Sequence, residues 1–140
     1  MQEPMQNIIR YAGAGDLELL ASYDRHVGRE ELAALIGRKR VIVLENGQRF
    51  SGWMRYNLFW DNTPFMNLLF VVEGCRGQGY GGQLTAFWEE EMRRQGYGMV
   101  LTSSQADEQG QFFYRSHGYV DCGSLLLPGE PLEIIFMKKL

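Results

Sequence analysis

Cysteine and histidine are scarce in this chain, with two of each among 140 residues. Cys75 and Cys122 are too few for a disulfide framework and lack zinc-ligand spacing, so no metal is expected. They read as two reduced thiols of a cytoplasmic protein, with Cys75, beside a glycine-rich stretch, open to adventitious oxidation. Long apolar runs are also missing: Leu68-Leu69-Phe70-Val71-Val72 is far too short to cross a bilayer. Met1 to Arg10 has neither the charged nor the apolar region of a secretory leader. Nor is there an excess of basic charge. Fourteen Lys and Arg against 17 Asp and Glu give a net charge of −3, so nothing points to nucleic acid as a partner. Mild acidity suits a cationic amine, although many cytosolic proteins share it. Repeats, low-complexity tracts and linkers are absent. What is present is apolar, 45% with 13% aromatic, enough for one core in a single domain over residues 1–140.

Periodicity sets out a mixed α/β order. Asn7 to Tyr11 reads as a strand, with Asp16 as the N-cap of a helix carrying Leu17, Leu20 and Tyr23. A second short helix runs from Glu30 to Ile36 and stops at Gly37. Arg40 to Glu45 and Arg49 to Trp60 read as a hairpin about Asn46-Gly47, with both turn residues at positive φ and a bulge at Gly52. Asp61-Asn62-Thr63-Pro64 makes the next turn. Phe65 to Val72 is almost continuously apolar, which predicts a strand covered on both faces. A helix from Gln83 to Gln95 buries Leu84, Phe87, Trp88 and Met92 and leaves Glu89, Glu90 and Glu91 solvated. Met99 to Thr102, Tyr119 to Leu127 and Leu132 to Met137 are further strands, and Glu108 to His117 is a short helix.

The segment Arg76-Gly77-Gln78-Gly79-Tyr80-Gly81-Gly82 joins an apolar strand to a helix start. Such a loop turns several backbone N–H groups toward one point, where helix-end donors favour an anion. Glycine lets a phosphate approach the amides, and Arg76 adds a permanent positive charge. A nucleoside-triphosphate loop is excluded, because Gly82 is followed by Gln83 and Leu84 rather than Lys and Ser or Thr. Gly77, Gly79 and Gly82 satisfy G-x-G-x-x-G, yet the next strand ends Leu101-Thr102-Ser103-Ser104 without the ribose-binding acid. A dinucleotide site is therefore rejected.

Arg76-x-x-Gly79-x-Gly81 resembles the R/Q-x-x-G-x-G/A motif of the GNAT superfamily of N-acetyltransferases, whose amides hold the pyrophosphate of coenzyme A. Leu69-Phe70-Val71-Val72 is similar to the family's fourth strand, whose backbone pairs with the pantetheine arm. Phe112-Phe113-Tyr114-Arg115-Ser116-His117-Gly118-Tyr119 resembles its FYxxxGF segment, with Tyr119 in place of Phe. Glu133 to Leu140 resembles its last strand. The resemblance covers essentially the whole chain and implies a central mixed sheet of six to seven strands flanked by about four helices.

It also implies chemistry. An amine attacks the thioester of acetyl-CoA, and a tetrahedral intermediate collapses to release the CoA thiolate. Phe70, Val71, Val72, Arg76, Gly77, Gln78, Gly79, Tyr80, Gly81 and Gly82 would bind the coenzyme. Tyr114 would protonate the sulfur, and a backbone N–H near Leu69 to Val71 would polarise the carbonyl. From helical position alone, Tyr114 reads instead as an aromatic anchor, like Phe112 or Phe113. No base is named: Glu45, Asp61, Glu73 and Glu108 read as surface, cap or turn residues. His26 reads as a surface helix residue and His117 as a helix-end cation. Half of Trp53, Tyr56, Phe59, Trp60 and Phe65 should be core, and the rest could line an acceptor pocket for a small-molecule or peptide amine. Family habit adds a homodimer through the C-terminal strands. Two alternatives remain, a CoA-binding sensor without turnover and a module for another phosphate ligand.

Overall fold

The computed structural model describes residues 6–140, so Met1 to Arg10, where no leader is expected, lies half outside the described residues. Among those residues the order is β1 (Asn7–Tyr11), α1 (Leu17–Tyr23), α2 (Arg29–Gly37), β2 (Val41–Asn46), β3 (Arg49–Phe59), β4 (Thr63–Val71), α3 (Tyr80–Arg94), β5 (Met99–Gln105), α4 (Gly110–Ser116), β6 (Val120–Leu125) and β7 (Glu133–Lys139). One seven-stranded sheet runs in the order β1-β2-β3-β4-β5-β7-β6. β2 is antiparallel to β1 and β3, β7 is antiparallel to β5 and β6, and β4 and β5 are parallel. This is the mixed α/β sheet that the sequence predicts.

Local details differ. Asp16 sits at the N-cap of α1 without capping it; its carboxylate accepts from the Gly13 N–H at 2.7 Å and from Arg10 at 2.8 Å. The first hairpin turns on Gly47-Gln48, since Asn46 pairs with Arg49, and only Gly47 has positive φ. Glycine at the first of two turn residues matches the twist of the flanking strands, so the second need not be left-handed. Register slips beside Gly52, as expected for a bulge: Leu44 faces Gly52 and Glu45 faces Phe50, leaving Ser51 extra. The next turn comes earlier than predicted, at Trp60 and Asp61, both left-handed, and Pro64 lies inside β4.

The chain divides into two compact units, one up to Tyr56 plus Leu68–Phe87, the other Asn57–Asn67 plus Trp88–Leu140. In the first, Leu20, Leu32, Leu35, Ile36, Val41, Val43 and Trp53 form a buried cluster, with Leu68 and Val72 packed against it. Its one-sided helices bury their apolar stripes there. Gly52 is obligatory by crowding: a Cβ would stand 2.9 Å from the Phe70 carbonyl oxygen. Beside this cluster Asp24 is buried and accepts from Arg55 Nε at 2.7 Å, Trp53 Nε1 at 3.2 Å and the His26 N–H at 3.2 Å. His26 therefore lies in the α1–α2 connection rather than on a helix.

In the second unit Trp88, Met92, Val100, Tyr119 and Phe136 are buried. Glu89 corrects the sequence reading: it is 7% exposed, accepting from the Tyr119 hydroxyl and from Lys138 Nζ, each at 2.8 Å. Three adjacent glutamates cannot all face water on a helix that buries Trp88 and Met92, and the edge of the buried stripe, beside Thr85, claims Glu89. Glu90 and Glu91 do face outward and pair with Arg93 and Arg94. Phe112 is 57% exposed, so it does not anchor α4.

Removing the Asp24 carboxylate leaves the Arg55 guanidinium buried without its partner, so Asp24→Ala should lose about 3–5 kcal/mol of stability. Burial pushes the Asp24 carboxyl up, but Arg55, the Trp53 indole and the His26 amide outweigh it and hold it below the usual carboxylate range. With the folded value depressed, this contribution is complete above about pH 4 and is lost as pH falls through that lower value. In urea titrations the gap between wild type and Asp24→Ala should therefore narrow at the acid end. A gap constant with pH would show that ionised Asp24 is not its source.

Candidate active site

β4 leads into the glycine-rich connection, and the two strands flanking that crossover run parallel. The register of β4 with β5 passes through Phe65↔Leu101 and Met66↔Thr102. β4 then continues to Val71, five residues beyond the last of these pairs. Its apolar run is not covered on both faces as expected: Asn67 is exposed and Phe70 is 37% exposed. Phe70 packs tilted against Trp53, ring centroids 5.0 Å apart, and the Arg76 guanidinium lies 5.2 Å from the centre of the Phe70 ring. Continuous apolarity here serves half-open surfaces as well as core.

Arg76 folds back rather than reaching outward: its Nε donates to the Val71 carbonyl at 3.1 Å. The Val72 N–H donates to the Ser51 carbonyl at 2.9 Å, which ties the start of the loop to β3. Gly77 and Gly79 have φ of +78° and +81°, and a Cβ at either would meet nothing within 4 Å. Crowding is therefore not what demands glycine at these two positions; left-handed backbone and an open face are. Gln78 between them is exposed. α3 starts three residues sooner than the sequence predicts, so Tyr80, Gly81 and Gly82 form its first turn. Gly79 accepts the first helical bond, from the Gln83 N–H at 3.1 Å. The amides of Tyr80, Gly81 and Gly82 are thus first-turn donors, which a helix leaves without internal acceptors. The Tyr80 side chain is buried and is not part of the loop's open face. Together these residues offer a row of backbone donors at a fifteen-residue helix's positive end. Such a row fits a pyrophosphate, with Arg76 at its head.

In the second unit, Tyr114 is 8% exposed on α4 and packs against Phe113, Tyr119 and Phe136. Burial pushes its phenol up, the Thr102 hydroxyl pulls it down as a hydrogen-bond partner, and Glu108 pushes it up again; the net direction is upward. The phenol is protonated at neutral pH. Thr102 itself donates to the Met66 carbonyl at 3.0 Å, fixing Tyr114's partner at the β4–β5 register. A cavity of about 320 Å³ lies in the same unit, lined by Asn57, Leu58 and Phe59 of β3, Phe65 and Asn67 of β4, Leu101 and Ser103 of β5, Leu125 and Ile135. Of the five aromatics proposed for core or pocket, Trp53 and Tyr56 are core, Phe59 and Phe65 line this cavity, and Trp60 is 77% exposed. The acids weighed as bases stand apart from such a role: Glu45 binds Arg10 at 2.6 Å, and Asp61, Glu73 and Glu108 are exposed. Cys75 is buried and Cys122 exposed.

The family model of the acetyltransferase (GNAT) domain matches residues 37–121, more than half of the chain. The chain belongs to the GNAT acetyltransferases. None of the curated proteins matches it. Its fold is similar to that of a GNAT-family acetyltransferase from Bacillus cereus, at 22% identity and a TM-score of 0.79 over 96% of this chain and 97% of that one. It is similar to the ribosomal-protein-alanine N-acetyltransferase of Brucella melitensis, at 23% identity and 0.78 over 95% and 99%. The PaiA N-acetyltransferase of Thermoplasma acidophilum, solved in complex with coenzyme A, matches at 16% identity and 0.78 over 97% and 100%. Among the described residues, no helix is long and apolar enough to cross a membrane.

A side chain at Gly79 must adopt a left-handed backbone, which for a branched residue costs about 1–2 kcal/mol. Gly79→Val should lose about that much stability in a urea titration, because no neighbour stands close enough to add a clash. A much larger loss would show that the loop is packed rather than open.

Proposed function

We propose that this GNAT acetyltransferase moves the acetyl group of acetyl-CoA to a primary amine, acting as one domain over residues 1–140. The observation that carries the reading is the loop itself: left-handed glycines at 77 and 79, an open face, and first-turn amides at 80–82. On this reading the amides from Gly77 to Gly82, with Gln78 and Tyr80 contributing through their backbone, hold the pyrophosphate, and Arg76 pairs with its oxygens. The end of β4 pairs with the pantetheine arm. Because the Val72 N–H is already given to Ser51, that pairing falls chiefly on Phe70 and Val71, and a partner for the Val71 carbonyl shares it with Arg76 or displaces it.

In the transfer, the amine nitrogen bonds to the acetyl carbon and the C–S bond breaks. The departing sulfur takes the phenol proton of Tyr114, the surplus amine proton passes to solvent, and solvent reprotonates the phenolate. A phenol raised by burial stays protonated across neutral pH, as a proton donor must. No carboxylate is assigned as base; the neutral fraction of the amine supplies the nucleophile. The same reading has the enzyme working in the cytoplasm on a small-molecule or peptide amine. The exposed edge strand β6 supports a homodimer through the C-terminal strands.

Calorimetry with acetyl-CoA and CoA, followed by thiol release against a panel of amines, tests the reading. Binding without thiol release from any amine would make the protein a sensor, and no binding would leave only another phosphate ligand. Tyr114→Phe should lower the turnover number by about a hundredfold or more while CoA affinity holds. An unchanged turnover number across pH would remove Tyr114 from the acid role.

A further inference from the structure

Resting on the transfer reading above, we propose that the cavity between β3, β4, β5 and β7 receives the body of the acceptor and selects apolar monoamines over polycations. Its volume of about 320 Å³ is at the lower end of the ~300–1,000 Å³ range of small-molecule sites. Phe59, Phe65, Leu101 and Ile135 give it apolar walls, and Asn67 and Ser103 add neutral hydrogen-bonding groups. Among the described residues that line it, none is charged. A second ammonium drawn in would lose its water and find no carboxylate in exchange, whereas an aromatic or alkyl body loses nothing polar. The net negative charge of the chain, which favours cations at a distance, is thus overruled at the wall that matters.

The cavity and the Tyr114 phenol lie on opposite faces of β5. Side chains alternate along β5, so Leu101 and Ser103 face the cavity while Thr102 between them faces Tyr114. Phe65 is the register partner of Leu101 and Met66 that of Thr102, so cavity and phenol flank the same short stretch of two paired strands.

The test compares phenethylamine with spermidine and an aminoglycoside, using the full chain, saturating acetyl-CoA and thiol release. Phenethylamine should show a kcat/KM at least about tenfold above either polycation. Asn67→Asp, at an exposed position, gives the wall a carboxylate and should shrink that ratio about tenfold without changing the Kd for CoA. Filling the cavity with Ser103→Leu should raise KM for phenethylamine and again leave CoA binding alone. Polycations preferred by the wild type would overturn the inference while leaving the transfer reading intact. Loss of affinity for longer acyl-CoAs in Ser103→Leu, with amine KM unchanged, would overturn it by giving the cavity to the acyl chain. No thiol release from any amine would remove the transfer reading and the inference with it.

Discussion

Because β4 and β5 run parallel, no tight turn can join them, and the chain must leave the sheet and return through a crossover. That single requirement places a loop and a helix N-terminus at the carboxyl end of β4, where open α/β sheets bind ligands. Every donor assigned to the coenzyme follows from it: the left-handed residues Gly77 and Gly79, then the first-turn amides of α3. Arg76 completes the group by folding over Phe70 and holding the last carbonyl of β4. The proposed anion site is less a set of side chains than a direction of backbone.

Two ways of using glycine stand side by side here. At Gly52 the reason is crowding, since the Phe70 carbonyl oxygen lies where a Cβ would be. That closeness lets β3 and β4 pass each other beside the extra residue Ser51, whose carbonyl then takes the Val72 amide. At Gly77 and Gly79 the surroundings are empty, and the reason is conformation and access. The first kind of glycine lets β3 lie close against the end of β4, which leads to the loop, and the second keeps the loop open.

Each unit also carries a buried ionic group that takes no part in the proposed transfer itself. Asp24 is satisfied by Arg55, Trp53 and the His26 amide, and Glu89 by Tyr119 and Lys138. Tyr119 is pushed up strongly, first by its burial and then by the Glu89 charge, so it donates to that carboxylate at any physiological pH. Such groups fix geometry rather than add net stability, because their desolvation opposes the gain in attraction. Through Tyr119 the second group supports the ring of Tyr114, 5.6 Å away.

Much of this was legible from residue order. The strand and helix sequence, the glycine loop before α3, and the FYxxxGF-like segment depend on spacing along the chain, which sequence records directly. What spacing misses is partnership across it. Arg55, a lone charge between apolar neighbours in a strand, was the only sign of the Asp24 pair, and nothing announced that Glu89 would part from Glu90 and Glu91 for Tyr119 and Lys138. The cavity walls come from residues as far apart as Asn57 and Ile135. The sequence by itself determined the order of elements, the family and the place of the glycine-rich loop, because local backbone geometry, periodicity and motif spacing suffice for these. Only the tertiary structure decided which acids are buried, where Arg76 points and which neutral side chains line the cavity, because those depend on strands brought together from distant parts of the chain.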